Sequence, residues 1–229
     1  MPFDTKTLID IALLIVIAAF VPAITFLGYK MYKAKTVKKL DIILVVLFLG
    51  LELLRFVYNA TLYPKAAVPS SNLTFTYISF GVVASLFAVF ANNRVGRFFR
   101  KIVVLTALVP VIMGGSFNQI INLPFDMYTI MKAIYFVEAG LYITLAISFL
   151  SLSGDRLKPL DILWGCLYML TYVGINAMTI HFFKVPITFD LQYYLTMTGV
   201  VVSVPLLYGL SIIVPRFDNH NCQEETVSK

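Results

Sequence analysis

At 229 residues, 59% hydrophobic and only 13% charged, the chain carries about half the charge of a soluble domain, for which roughly 25% is usual. That excludes an ordinary soluble enzyme and points to an integral membrane protein. The formal net charge of +6 would suit nucleic acid, but the basic residues gather in short segments between apolar runs, where they act as topology signals. No nucleic-acid partner is expected.

Seven runs of about 20 or more mostly apolar residues follow one another, the length a helix needs to cross ~30 Å of hydrocarbon. They cover roughly 8–29, 40–63, 72–92, 102–122, 129–151, 160–183 and 191–214. The first lacks a basic n-region, so it reads as a retained span rather than a cleaved signal peptide. The expected fold is all-α: one polytopic domain over 1–214, then a polar, disordered tail over 215–229. Short connections make neighbouring helices antiparallel.

Basic residues set the orientation. Lys30, Lys33, Lys35, Lys38 and Lys39 fill the first connection, Arg94, Arg97, Arg100 and Lys101 the third, Arg156 and Lys158 the fifth, and Arg216 and Lys229 the tail. Only Lys6, Lys65 and Lys184 fall on the other side. The positive-inside rule then predicts an outside amino terminus and a cytoplasmic carboxyl terminus. A multi-pass place in the plasma membrane follows, with membrane lipids as partners and a protein complex as a further option. In the fourth run, Val109-Pro110 and then Gly114-Gly115-Ser116 predict a kink or break. Pro205 in the seventh reads as a simple kink.

Charges at membrane depth are the strongest functional signal. Glu52, Arg55 and Asn59 stand three and four residues apart, on one helix face. Each buried charge costs on the order of 2.5–3.5 kcal/mol in hydrocarbon and must find an inward partner. Matched for depth, Arg55 pairs best with Glu138, with Glu52 beside it. Glu52 and Lys132 differ in depth by roughly 10 Å at 1.5 Å per residue. The pair either serves function or only fixes helix register.

Polar residues of six runs gather toward the outer leaflet, among them Tyr77, Ser79, Asn118, Lys132, Asn176 and His181. On the inner side, 42–49, 82–90, 102–108 and 200–207 read as almost wholly apolar. The expectation is an outward-opening polar cavity with an apolar floor. Glu52, Arg55, Tyr77, Asn118, Lys132, Glu138 and Asn176 are its binding candidates. Tyr168, Tyr172, Asn176 and Thr179 form a stripe on the sixth run. Asn176 also fits as interhelical glue, His181 as an interfacial side chain, and Ser79 as a packing residue.

Several chemistries are absent. No lysine in the seventh run offers a retinal Schiff base. There is no phosphate-binding Gly-rich loop and no HExxH, and Glu52 with Arg55 falls short of a paired-glutamate protease motif. Cys166 and Cys222 form no metal or disulfide pattern, and His181 and His220 are too few and too separated for a histidine metal site. No metal or cofactor is expected. An alternating-access carrier stays open, because backbone can line its inward path.

The layout resembles the YwaF-like integral membrane proteins, related to the eukaryotic transmembrane acyltransferase and hydrolase group. Glu52 matches that family's span-two glutamate. Gly174-Ile175-Asn176-Ala177-Met178, with Lys184-Val185-Pro186 beyond, is similar to its late Gly-x-Asn-Tyr-Met and Lys-Pro motif. Thr74-Phe75-Thr76-Tyr77-Ile78-Ser79 stands where its histidine–cysteine motif belongs, so Tyr77 replaces the histidine and Ser79 the cysteine. The resemblance implies a seven-helix fold and acyl transfer through a nucleophile at position 79. His181 or Glu138 would then be the base, and Arg55 would hold an anionic headgroup or steady the transition state. Three functions follow as expectations: binding or acting on a lipid or amphiphile, the same fold with catalysis lost, or a small transporter or membrane subunit using Glu52, Arg55, Lys132 and Glu138 as its polar path.

Overall fold

The protein is described from a computed structural model, which covers residues 37–62, 77–91, 93–112, 125–152, 157–182 and 191–213, with scattered positions between 12 and 30. Every regular element among them is helical. In chain order they are α1 (Val37–Leu62), α2 (Tyr77–Phe90), α3 (Arg94–Leu105), α4 (Phe125–Leu152), α5 (Pro159–Phe182) and α6 (Leu191–Ile213). The first run, the segment 113–124 and the tail beyond 213 lie outside a continuous description. Among the described residues one stretch, Ala133–Ser151 in α4, is long and apolar enough to cross a membrane.

Helix α4 is the centre, packed against α1, α2 and α3, while α5 and α6 pack on each other and on α3. The core runs along the face of α4 that carries Tyr135, Glu138, Tyr142, Leu145 and Phe149. These residues are spaced by three and four, so they line one side of the helix. Tyr142 closes its middle. The Tyr142 ring stands 5.9 Å from that of Phe48 on α1. On α2 it meets Gly81, where a Cβ would lie 3.1 Å from the ring edge.

Several polar residues lie inside, and many large apolar ones face outward. Arg55, Glu138, Ser85, Thr106, Ser148 and Ser203 are buried. Leu53, Leu54, Phe56 and Val57 on α1, Leu163 and Leu167 on α5, and Leu206 and Ile212 on α6 are exposed. Water would not tolerate so much apolar surface on a monomer; hydrocarbon would.

One local feature departs from the reading by apolar runs, and another is the break expected in the fourth. Arg94, Arg97, Arg100 and Lys101 were expected in a connection, yet they lie on a helix. The connection is only Ala91–Asn93. Asn93 caps α3, its Oδ1 accepting from Val95 N at 2.9 Å and Gly96 N at 3.3 Å, which satisfies donors left open at a helix start. Gly96 then crosses the end of α2 so closely that a Cβ would sit 1.7 Å from the Ala91 carbonyl oxygen. A tight corner thus replaces the expected loop.

The break in the fourth run falls at Thr106–Leu108, where the backbone forms turns before a helical stretch over 109–112. Pro110 has no N–H to give the Thr106 carbonyl. Val109 N donates to that carbonyl instead, at 3.1 Å. The Pro110 carbonyl is satisfied from another helix, by the Tyr135 hydroxyl at 2.8 Å. Pro205, by contrast, sits inside a continuous α6.

Candidate functional site

The described candidate side chains converge where α1, α2 and α4 meet. Arg55 donates from Nε to Glu52 Oε2 at 3.0 Å, and from Nη2 to Glu52 Oε1. That bidentate grip joins residues one helical turn apart. The cross-helix pair read from depth is also in place: Arg55 Nε lies 3.8 Å from Glu138 Oε2. Ser79, at the start of α2, joins the group. Its hydroxyl donates to Glu52 Oε1 and accepts from Arg55 Nη2 at 3.3 Å.

The burial of these groups is graded. Glu52 is partly exposed, Arg55 is buried, and Glu138 is 0% exposed. Neither carboxylate oxygen of Glu138 has a hydrogen-bond partner among the described residues. One guanidinium therefore stands between two carboxyl groups, hydrogen-bonding Glu52 and Ser79 and lying 3.8 Å from Glu138. An enclosed carboxylate without donors is an expensive group.

Ser79 takes Glu52 as its partner. The sequence offered His181 or Glu138 as a base for it. The side chain of His181 lies outside the described residues, and Ser79 makes no hydrogen bond to Glu138. A proton leaving Ser79 along this bond would pass to Glu52 Oε1, an atom already shared with Arg55. Asn118 lies outside the described residues, as do the side chains of Tyr77, Lys132 and Asn176, although the backbones of those three are helical. Of the stripe on α5, Tyr172 is buried with its ring 5.5 Å from Phe80. Tyr168 donates to the Phe80 carbonyl at 2.7 Å. Both turn inward onto α2, just past Ser79.

The inner floor is less apolar than 42–49, 82–90, 102–108 and 200–207 suggest. The Tyr142 hydroxyl lies 2.7 Å from Thr106 Oγ1, which itself donates to the Ile102 carbonyl. Deeper still, Ser148 Oγ donates to Asp41 Oδ1 at 2.7 Å, and Arg100 stands near enough to act on the Asp41 charge. Asp41 stands at the edge of the second apolar run, and its partner is 107 residues away. A further ion pair joins α3 to α5, with Lys101 Nζ 2.9 Å from Asp161 Oδ2. Asp161 also accepts from the Lys158 backbone N–H and so caps the start of α5.

No group of three metal-ligating side chains occurs among the described residues. No family model, curated protein or solved structure matches the chain. The chemistry must therefore be argued from the cluster itself.

Proposed function

We propose that this chain is a seven-span plasma-membrane protein whose mid-depth charged centre binds a lipid or another amphiphile by its polar end. Its amino terminus lies outside and its carboxyl terminus in the cytoplasm. The apolar outer faces of α1, α5 and α6 support the membrane setting. The observation that carries the binding site is Glu138, fully buried and, among the described residues, without a hydrogen-bond donor for either oxygen. Arg55 is committed to Glu52 by two hydrogen bonds, so the centre has a place for one more donor. A polar end with N–H or O–H groups, an amine or a hydroxyl, fits that place. An anionic headgroup would compete with Glu52 for Arg55 and meet Glu138 as a like charge. The outward path to the centre would be lined by Tyr77, Asn118, Lys132 and Asn176, as their depths predict.

Native mass spectrometry in mild detergent tests this. Wild type should carry a noncovalent adduct. Glu138→Gln should weaken it by about tenfold or more, the worth of a hydrogen bond to a charged group. Ser79→Ala should retain it. A wild type free of adduct, or an adduct indifferent to Glu138→Gln, would sink the proposal. A covalent acyl mass lost in Ser79→Ala would instead favour the acyl transfer that the YwaF-like resemblance implies, with Glu52 as the adjacent carboxylate.

The same free place on Glu138 favours a second function, a small carrier or the membrane subunit of one, in which a proton occupies it. Vesicle uptake driven by a proton gradient and lost in Glu138→Gln would decide for it.

A further inference from the structure

A different part of the molecule has the chemistry of a headgroup site. On α3, Arg94, Arg97, Phe98 and Lys101 fall at spacings of three, four and seven, on one helix face. Two of them fasten that face to α5. The Phe98 ring packs edge-on against Trp164 at 5.9 Å, and Lys101 pairs with Asp161 at 2.9 Å. Arg94 and Arg97 are therefore held beside the same seam, and both are exposed.

Among the described residues no acid compensates their charge. The first turn of α3 contains no acidic residue. No ion pair among the described residues involves Arg94 or Arg97. Asp161, the acid on the α5 side, is taken by Lys101 and by the Lys158 N–H. Two guanidiniums also stand at the positive pole of a helix, where the dipole disfavours cations and favours an anion.

An apolar track begins at the same seam. Leu160, Leu163, Trp164, Leu167 and Leu170 recur at helical spacing along α5, and all are exposed. From Leu160 to Leu170 the rise is about 15 Å at 1.5 Å per residue. That is half of the ~30 Å hydrocarbon thickness, the depth of one leaflet.

We propose that the α3–α5 seam is a binding site for an anionic phospholipid, its phosphate held by Arg94 and Arg97 and an acyl chain lying along the exposed stripe of α5. The contiguous stripe favours a lipid over a soluble anion. Trp164 at the junction is the amphipathic ring expected at headgroup level. The site rests on the membrane setting proposed above and is separate from the Glu138 centre.

Trp164 is the chain's one tryptophan, so it reports on the site alone. The purified full chain is reconstituted in vesicles of phosphatidylcholine mixed with brominated phosphatidylglycerol, or the reverse, and quenching of its fluorescence is measured. Basic residues near a membrane surface each contribute about fivefold to anionic lipid binding. Wild type should therefore prefer the brominated phosphatidylglycerol by up to roughly 25-fold. Either single substitution, Arg94→Gln or Arg97→Gln, should reduce the preference about fivefold, and the double substitution should abolish it. Equal quenching by the two lipids would overturn the site, as would a preference that survives R94Q/R97Q. If neither brominated lipid quenches Trp164, the membrane setting itself fails and the site falls with it.

Discussion

Arg55 should prove far less replaceable than Glu138, although the two are partners. Arg55 Nε is 3.8 Å from Glu138 Oε2, a separation worth about 4 kcal/mol of attraction at an effective dielectric constant of about 20. Desolvation of the buried Glu138 charge offsets much of that gain. Arg55→Gln leaves two carboxyl groups, Glu52 and Glu138, facing one another without a cation, so that one must take up a proton. Breaking a buried pair from one side costs about 3–5 kcal/mol. Glu138→Gln removes a buried carboxyl whose oxygens have no hydrogen bond among the described residues and leaves the Glu52–Arg55 grip intact. Its cost should be about 1 kcal/mol or less. In the double variant R55Q/E138Q the Gln at 138 relieves part of the repulsion, so the loss should be smaller than for Arg55→Gln alone, with a coupling of about 1–3 kcal/mol.

Thermal unfolding in mild detergent reads these differences. At roughly 2–4 °C per kcal/mol for a chain of this size, Arg55→Gln should lower Tm by about 10 °C and Glu138→Gln by no more than a few degrees. The reasoning is refuted if the two single variants lose the same amount and the double variant loses their sum. Arg55 and Glu138 would then act independently, and the shared guanidinium would not be the organising feature of the site.

Two further outcomes follow from the packing. Gly96→Ala places a methyl 1.7 Å from the Ala91 carbonyl, so the corner between α2 and α3 must open; the folded yield in detergent should fall sharply, whereas Gly50→Ala, where nothing lies within 4 Å, should be neutral or slightly stabilising. Tyr142→Phe keeps the ring on Gly81 and Phe48 but deletes the hydroxyl beside Thr106. Because Thr106 keeps its bond to the Ile102 carbonyl, the expected loss is about 0.5–1.5 kcal/mol, and a Tm drop of about 10 °C would show that this pair supports more than packing.

Much of the helical fold is legible in the chain as written. The apolar runs near 40–63, 129–151, 160–183 and 191–214 all contain long helices, because run length speaks directly to helix formation, and Pro205 does not interrupt the last of them. The kink at Pro110 was legible for the same kind of reason, since a missing N–H is a property of the residue itself. The Asn93 cap is local too. It was obscured because four basic residues were counted as a connection, when three of the spacings among them suit one helix face.

The meeting of Arg55 with Glu138 was also accessible from sequence. The rise of about 1.5 Å per residue is fixed, so depth along a helix can be matched across helices without knowing how they pack. What depth leaves undetermined is rotation. Apart from the amphipathic α3, the helices are apolar on nearly every side, and such a helix carries little record of which side faces its neighbours. Only the tertiary structure therefore decided that Ser79 turns to Glu52, that Asp41 meets Ser148, and that Lys101 reaches Asp161. Each of those contacts depends on the azimuth of two helices at once, and azimuth is set by how side chains such as Tyr142, Phe48 and Gly81 interlock, which no single run of residues contains.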